Sequence, residues 1–328
     1  MNPPSTANDA LHAALAMVAP GKPLRDGIER IVRAKMGGLL ILSDSPEVLA
    51  ICSGGFLLDA DFSPQRLSEL AKMDGAIILG SNASRIARAN VHLVPDPTVP
   101  TSETGTRHRT AERVARSLRV PVVSISEEMG VINVYAGGSK HQLQDVSRLL
   151  DRANQALQTL ERYKARLDDA IANLTGVELE DVVSLRDVVA VVQRGEMVHR
   201  IADEIETMII ELGVDARLLR LQLDEIYGDV DDEVLDARTA ARTLHREGDV
   251  EDLDQEVAPK GLRLLHRVHR LPADQAVAVA DHFGGLAKLQ RATIGDLMEV
   301  DHIDQATAIS IKETLERVTE STILDQYS

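Results

Sequence analysis

The stretch ETGTRHRTAER at 103–113 crowds three basic side chains, Arg107, His108 and Arg109, between Thr106 and Thr110 directly after Gly105. Ala111, Val114, Ala115 and Leu118 follow at helical spacing, which predicts a helix over 107–118 with Thr106 as its N-cap. The basic residues then fill the first turn, where the helix dipole is already positive and cations are unfavourable. A bound anion reverses that balance. Free backbone N–H groups, the dipole, two guanidinium forks and two hydroxyls would converge on a phosphate. Gly105 allows a sharp turn or a close approach of backbone to ligand. The competing reading is a solvent-exposed basic turn paired with Glu103 and Glu112.

MDGAIIL at 73–79 is the second feature. Asp74 stands at the mouth of an apolar strand, and Gly75 leaves room beside it. A carboxylate there can orient a hydroxyl, act as a base, or hold a hard cation such as Mg²⁺. An aspartate capping a turn is the plain alternative. Two other glycine pairs, in SGGF (53–56) and AGGS (136–139), lack the lysine of a phosphate-binding loop and the GxGxxG spacing, so they read as turns.

These segments sit in a chain of 328 residues with a formal charge of −16. That length predicts two or three domains. Acidity argues against a nonspecific polyphosphate binder, whose affinity rests on Lys and Arg, but leaves room for a local basic site. About half of the net charge lies in 229–256, where eleven Asp and Glu face three Arg; this reads as a solvated face. Aromatics make up 2% and Trp is absent, which disfavours base-stacking platforms and predicts aliphatic cores. The single cysteine, Cys52, excludes an intrachain disulfide framework and fits a cytoplasmic setting. The start of the chain lacks a basic segment typical of a signal peptide, and no run of 18 apolar residues exists, so no membrane partner is expected.

Three regions must position the chemistry. In 1–138, short apolar runs at 37–42, 48–53, 75–79, 91–94, 121–125 and 131–135 read as strands, and amphipathic stretches at 24–36, 64–72, 82–89 and 107–118 read as helices. Their alternation predicts an α/β domain with a central mixed sheet, closed by Gly137-Gly138. In 139–258, Leu143, Val146, Leu150, Ala153, Leu157, Leu160, Leu167, Ile171 and Leu174 form a coiled-coil-like seam, stopped at Thr175-Gly176. Ser184 with Asp187 starts a second helix, Gly213 ends it, and Asp215 starts another, giving an all-α spine bundle. In 259–328, helical patterns at 272–282, 285–291, 293–299 and 305–318 with tight links fit a small helix-hairpin-helix domain.

DGA at 74–76, followed by GTRHRTAERVA some thirty residues on, resembles the diadenylate cyclase family over most of 25–135. The RHR block with its flanking threonines is the specific part. The spine and helix-hairpin-helix end that follow extend the resemblance over nearly the full length. The resemblance implies an α/β nucleotide-binding N-terminal domain and an activity that joins two ATP molecules into cyclic di-AMP with release of two pyrophosphates. Asp74 would activate or orient the ribose 3′-hydroxyl with Mg²⁺ or Mn²⁺. Gly75 and Ala76 would lie against the nucleotide, and Leu93 near the adenine. Thr106, Arg107, His108, Arg109 and Thr110 would hold the triphosphate, with Ser126 and Glu127 beside it, and His108 would bind the α-phosphate or the metal. A two-fold symmetric product requires two active-site faces to meet, so face-to-face dimers are expected, and the resemblance suggests a homo-octamer.

DNA, particularly branched or damaged DNA, is the partner implied for the C-terminal domain. A helix-hairpin-helix carries two hairpin glycines that let backbone N–H groups reach a phosphate. Here Val300-Asp301-His302-Ile303-Asp304 puts His302 and Asp304 at those positions, so weak binding is expected. Lys260, Arg263, Arg267, Arg270, Lys288, Arg291 and Lys312 remain to contact the DNA backbone. The alternative function is a DNA-structure-binding scaffold whose nucleotide domain only senses ATP.

Overall fold

The computed structural model describes residues 6–180, 182–228 and 261–326. The acidic segment 229–256 and Lys260 lie outside the described residues. The chain divides into two compact units, 1–155 with 205–221 and 156–204 with 222–328.

The first unit opens with α1 (Thr6–Met17) and α2 (Pro23–Arg33), then β1 (Gly38–Ile41), α3 (Pro46–Ala50), β2 (Cys52–Ser53), β3 (Phe56–Asp61), α4 (Pro64–Leu70), β4 (Ala76–Leu79), β5 (Arg85–Leu93), α5 (Thr106–Leu118), β6 (Val122–Ile125), β7 (Ile132–Ala136) and β8 (Ser139–Gln142). The sheet runs β2-β5-β4-β1-β6-β7-β8, with β3 also on β5. Only β1 and β4 pair in parallel among these strands; every other pairing is antiparallel, so the sheet is mixed. Both faces are covered, which is why its strands read as continuous apolar runs. Leu40, Ile77, Val123 and Val134 bury one face with α1, α2 and α4. Leu39, Ile41, Ile78, Val91, Leu93 and Val122 bury the other with Ala111, Val114 and Ala115 of α5.

Three local readings are corrected. Residues 48–53 are not one strand. The Ser45 side chain accepts from the Val48 N–H with Pro46 at the first helical position, so a short helix precedes a two-residue strand. Residues 82–89 are not helical. The Asn82 amide oxygen accepts from the Ser84 N–H and hydroxyl, folding a tight turn that sends 85–93 back along β4. Gly137 and Gly138, both at positive φ, form the turn into β8, so the sheet continues to Gln142.

The rest is helical: α6 (Val146–Leu179), α7 (Leu185–Leu212), a 3₁₀ turn (Gly213–Ala216) and α8 (Arg217–Tyr227), then α9 (Leu262–Leu265), α10 (Ala273–Phe283), α11 (Leu286–Arg291), α12 (Ile294–Leu297) and α13 (Gln305–Gln326). No helix among the described residues is long and apolar enough to cross a membrane. The seam of α6 is buried at Leu157, Leu160, Leu167, Ile171 and Leu174. Thr175-Gly176 does not stop this helix. The buried Thr175 hydroxyl donates to the Ile171 carbonyl, and α6 runs on to Leu179. Asp187 accepts from the Ser184 N–H and hydroxyl at the start of α7, and Gly213 ends it at φ +54°. In the second unit α9–α13 close a core around Leu264, Leu265, Val279, Leu289, Leu297 and Ile311.

Two basic residues assigned to DNA are occupied otherwise. Arg263 is buried, pairing with Glu178 at 2.6 Å and donating to Thr175 at 2.6 Å. Lys312 donates to the carbonyls of Gln290 and Ala292, the orphan acceptors at the end of α11. Replacing one partner of a buried ion pair strands the other, so Arg263→Met is expected to lower stability by about 3 kcal/mol, read from urea unfolding of the full chain. An unchanged midpoint and slope would rule out an energetic role for the pair.

Candidate active site

One end of the sheet collects the chemistry. β1 and β4 are parallel with Leu40 opposite Ile77, which sets Gly37 and Asp74 at the same level beyond their strands. β6 is antiparallel to β1 with Ile125 opposite Gly38, so its following loop, starting at Ser126, emerges at that end too. The first turn of α5 closes over it. Arg107 spans the gap: its guanidinium lies so close to Gly37 that a Cβ there would stand 2.1 Å from Nη1, and its Nη2 meets Asp74 Oδ1 at 3.2 Å. Gly37 is therefore a space requirement. So is Gly75, whose Cβ would fall 2.6 Å from the backbone of Asn90, a bulge residue at φ +55°.

The basic turn is not the self-paired surface turn of the competing reading. Glu103 pairs with Lys140 at 2.6 Å and accepts from the Tyr135 hydroxyl at 3.1 Å. Glu112 pairs with Arg116 and accepts from the Thr101 hydroxyl and the Ser102 N–H and hydroxyl. Arg113 and Arg116 donate to the carbonyls of Val99 and Pro100. The loop 99–103 is thus strapped to α5, and this fixes where the helix begins. Gly105, not Thr106, is the N-cap, with extended backbone and no capping side chain; Thr106 is the first helical residue. The first turn therefore keeps uncapped N–H groups. The Thr110 hydroxyl donates to the Thr106 carbonyl, so only its oxygen lone pairs remain.

His108 faces inward. Its Nδ1 lies 2.7 Å from Ser124 Oγ and 3.3 Å from the Tyr135 hydroxyl. Burial pushes the imidazole below its usual range; Glu103 opposes this, and Lys140 and Arg107 add to it. Burial likewise pushes the Tyr135 phenol up. Ser124, Tyr135 and Asn133 are buried polar residues on paired strands, and the Asn133 Oδ1 has no hydrogen-bond partner among the described residues. The apolar runs PVVSI and VINVY concealed them. The signal was a polar residue within each otherwise aliphatic run, all the more visible in a chain with four tyrosines.

The remaining predicted residues divide. Asp74 is almost fully exposed and Arg109 is exposed, both open to a ligand. Ser126 is half-buried in a turn closed by Gly130, with Glu127 exposed on it. Ala76 and Leu93 are buried in the core beneath α5. In the second unit Arg267, Arg270, Lys288 and Arg291 are exposed.

Comparison with known proteins gives this arrangement a family. Residues 25–140 match the model of the DisA bacterial checkpoint controller nucleotide-binding domain, and 143–237 match that of the DisA bacterial checkpoint controller linker region. DNA integrity scanning protein DisA of Frankia alni is 46% identical over 98% of both chains. The proteins of that name from Streptomyces coelicolor and Kineococcus radiotolerans are also 46% identical, over 98% and 99% of this chain and 95% and 99% of theirs. The chain belongs to the DisA family. It is a diadenylate cyclase, a nucleotidyltransferase, and its basic first turn and Asp74 lie within the matched nucleotide-binding region.

The strap on the loop before α5 carries a pH signature. Burial would raise the Glu112 carboxyl, but hydrogen bonds from Thr101 and Ser102 and the charge of Arg116 outweigh it and hold it below its usual range. A depressed carboxyl stabilises the fold above its unfolded pKa, and the contribution disappears as pH falls through the folded value. Glu112→Gln should therefore lose stability at pH 7, and its deficit relative to wild type should shrink on acidification from about pH 4.5 downward. Thermal melts across pH read this out, and a deficit independent of pH would refute it.

Proposed function

We propose that the chain condenses two ATP molecules into cyclic di-AMP with release of two pyrophosphates, with Asp74, Arg107, His108 and Arg109 at the reaction centre. The observation that carries this reading is the meeting, at one sheet end, of an exposed carboxylate and an uncapped helix start bearing three basic side chains. A triphosphate on the first turn of α5 would meet N–H groups, the Arg107 and Arg109 forks and His108. Asp74 would face the ribose 3′-hydroxyl, orienting it and drawing its proton as it attacks the α-phosphorus of the other nucleotide. Charge then moves onto the departing pyrophosphate, where fixed guanidinium groups stabilise it. Ser126 and Glu127 would flank the nucleotide, with Gly75, Ala76 and Leu93 forming the wall behind it.

A divalent metal fits this donor set in one way. No group of three or more His, Cys, Asp or Glu assembles a metal cage among the described residues, but Asp74 offers one exposed carboxylate. That is how Mg²⁺ is commonly held, by one or two carboxylates plus substrate phosphates, and Mn²⁺ suits the same ligands. Bound there, it would supply positive charge to the phosphoryl oxygens. The two attacks are equivalent and the product is two-fold symmetric, so we place two such faces opposite each other in a dimer, within a homo-octamer.

For the C-terminal residues we propose a helix-hairpin-helix domain that binds branched or damaged DNA weakly, through Arg267, Arg270, Lys288 and Arg291, and regulates synthesis. Two features of the link between α12 and α13 support weak binding. His302 adopts φ +68°, a conformation ordinarily left to glycine. The Asp304 carboxylate accepts from the Thr307 N–H at 2.8 Å, occupying the start of α13.

Two measurements test these readings. Purified protein with ATP and Mn²⁺ is expected to release pyrophosphate and a cyclic dinucleotide, and Asp74→Asn to lower kcat at least about a hundredfold. No wild-type turnover would favour the nucleotide-sensing scaffold instead, and equal turnover in the variant would remove Asp74 from the mechanism. For the hairpin, the double variant His302→Gly/Asp304→Gly is expected to bind duplex DNA about tenfold more tightly than wild type at moderate salt, measured by fluorescence anisotropy. Equal or weaker binding would show that the hairpin is not what limits affinity.

A further inference from the structure

We propose that Ser124, braced by Tyr135 and Glu103, fixes His108 in the tautomer that carries its proton on Nε2, so that this imidazole meets the nucleotide as a hydrogen-bond donor to a phosphate oxygen and not as a metal ligand. The proposal rests on the reading of this site as an ATP site.

The protons in the network can be counted. A carboxylate only accepts, so the single Tyr135 hydroxyl proton goes to Glu103, 3.1 Å away. Lys140 pairs with the same carboxylate at 2.6 Å. Ser124 is wholly buried on β6, and its hydroxyl lies 2.7 Å from His108 Nδ1 and also within hydrogen-bond reach of the Tyr135 oxygen. A buried hydroxyl proton without an acceptor is costly, and an imidazole lone pair is a better acceptor than the phenol oxygen beside it. Ser124 therefore donates and Nδ1 accepts. The Tyr135 oxygen also stands 3.3 Å from Nδ1, but its one proton goes to Glu103. Burial, with the charges of Lys140 and Arg107, outweighs the opposing charge of Glu103 and disfavours a second ring proton. A neutral imidazole whose Nδ1 accepts must carry its proton on Nε2. With Nδ1 committed inward to Ser124, Nε2–H is the donor left for the ligand. Ser124, Tyr135 and Glu103 are thus positioning residues that act through His108.

The test has two arms. The full chain is labelled with ¹⁵N-histidine, and the His108 resonances are identified by their loss in His108→Gln. A protonated Nε2 with an unprotonated Nδ1 is expected; the reverse assignment overturns the proposal. Steady-state kinetics with ATP and Mn²⁺ are then measured for Ser124→Ala and Tyr135→Phe. Ser124→Ala is expected to lower kcat about tenfold, with little change in KM and no change in the Mn²⁺ concentration giving half-maximal rate. Tyr135→Phe should fall between Ser124→Ala and wild type. An unchanged kcat in Ser124→Ala removes the positioning role. A raised Mn²⁺ requirement with full kcat at saturating metal makes His108 a metal ligand, which also overturns it. Should Ser124→Ala fail to fold, the nitrogen assignment in the wild-type chain still decides. A wild-type protein that forms no cyclic product would defeat the ATP reading, while the tautomer would still be read from the ligand-free spectra.

Discussion

Positive charge at the positive end of a helix is the constraint around which the N-terminal unit is arranged. Each cation in a first turn opposes the dipole by about 0.3–1 kcal/mol, and α5 carries three basic residues there. The fold deals with them separately. Arg107 is laid across Gly37 onto Asp74. His108 is turned inward, where burial disfavours its charge. Arg109 is exposed, and no ion pair is made by it among the described residues. One group is paired, one tends to neutrality and one is open, which leaves the turn in want of an anion. The cost is carried by the strap from Glu112, Arg113 and Arg116 to the loop before the helix, which holds Gly105 at its start.

The sheet topology follows from the same demand. Only with β1 and β4 parallel, and β6 antiparallel beside them, do Gly37, Asp74 and Ser126 reach one end together. Neither Gly37 nor Gly75 is a hinge. Each is a space that a guanidinium or a neighbouring strand already fills. Behind them the face under α5 departs from an all-aliphatic layer at Ser124, Asn133 and Tyr135. Buried polar groups are expensive unless satisfied, and Ser124 and Tyr135 find their partner in the histidine above them.

Much of this was legible in the residues. RHR between threonines after a glycine, and Asp-Gly at a strand mouth, pointed to the sheet end where Arg107 meets Asp74, because few other arrangements concentrate cations at a helix start. The continuous apolar runs gave β1, β4, β6 and β7 because both sheet faces are covered. What escaped had physical causes. Residues 82–89, NASRIARA, carry three alanines and suit either period, and the Asn82 turn decided between them. Residues 48–53 are apolar, but the Ser45-Pro46 start won the first half for a helix. Thr175-Gly176 resembled a stop, and the buried bonding of Thr175 to Ile171 and Arg263 carried α6 through it. Arg263 shows the general difficulty: an arginine counts as surface charge until its buried partner, Glu178, is known.

Asp304 shows how the start of a helix can be filled from within the chain. A helix start draws one anion to its free N–H groups. In α13 that anion is the chain's own carboxylate, held below the usual range by the Thr307 side chain and backbone. His302 meanwhile bears the strain of a left-handed conformation, at a position where glycine would bear none. Strain of that kind persists only when its surroundings enforce it. Here the enforcing groups are at hand: Val300 and Ile303, both in the core of the C-terminal helices, and the cap that Asp304 makes one residue later. The link between α12 and α13 is thus maintained by packing on one side and capping on the other, and neither requires a phosphate.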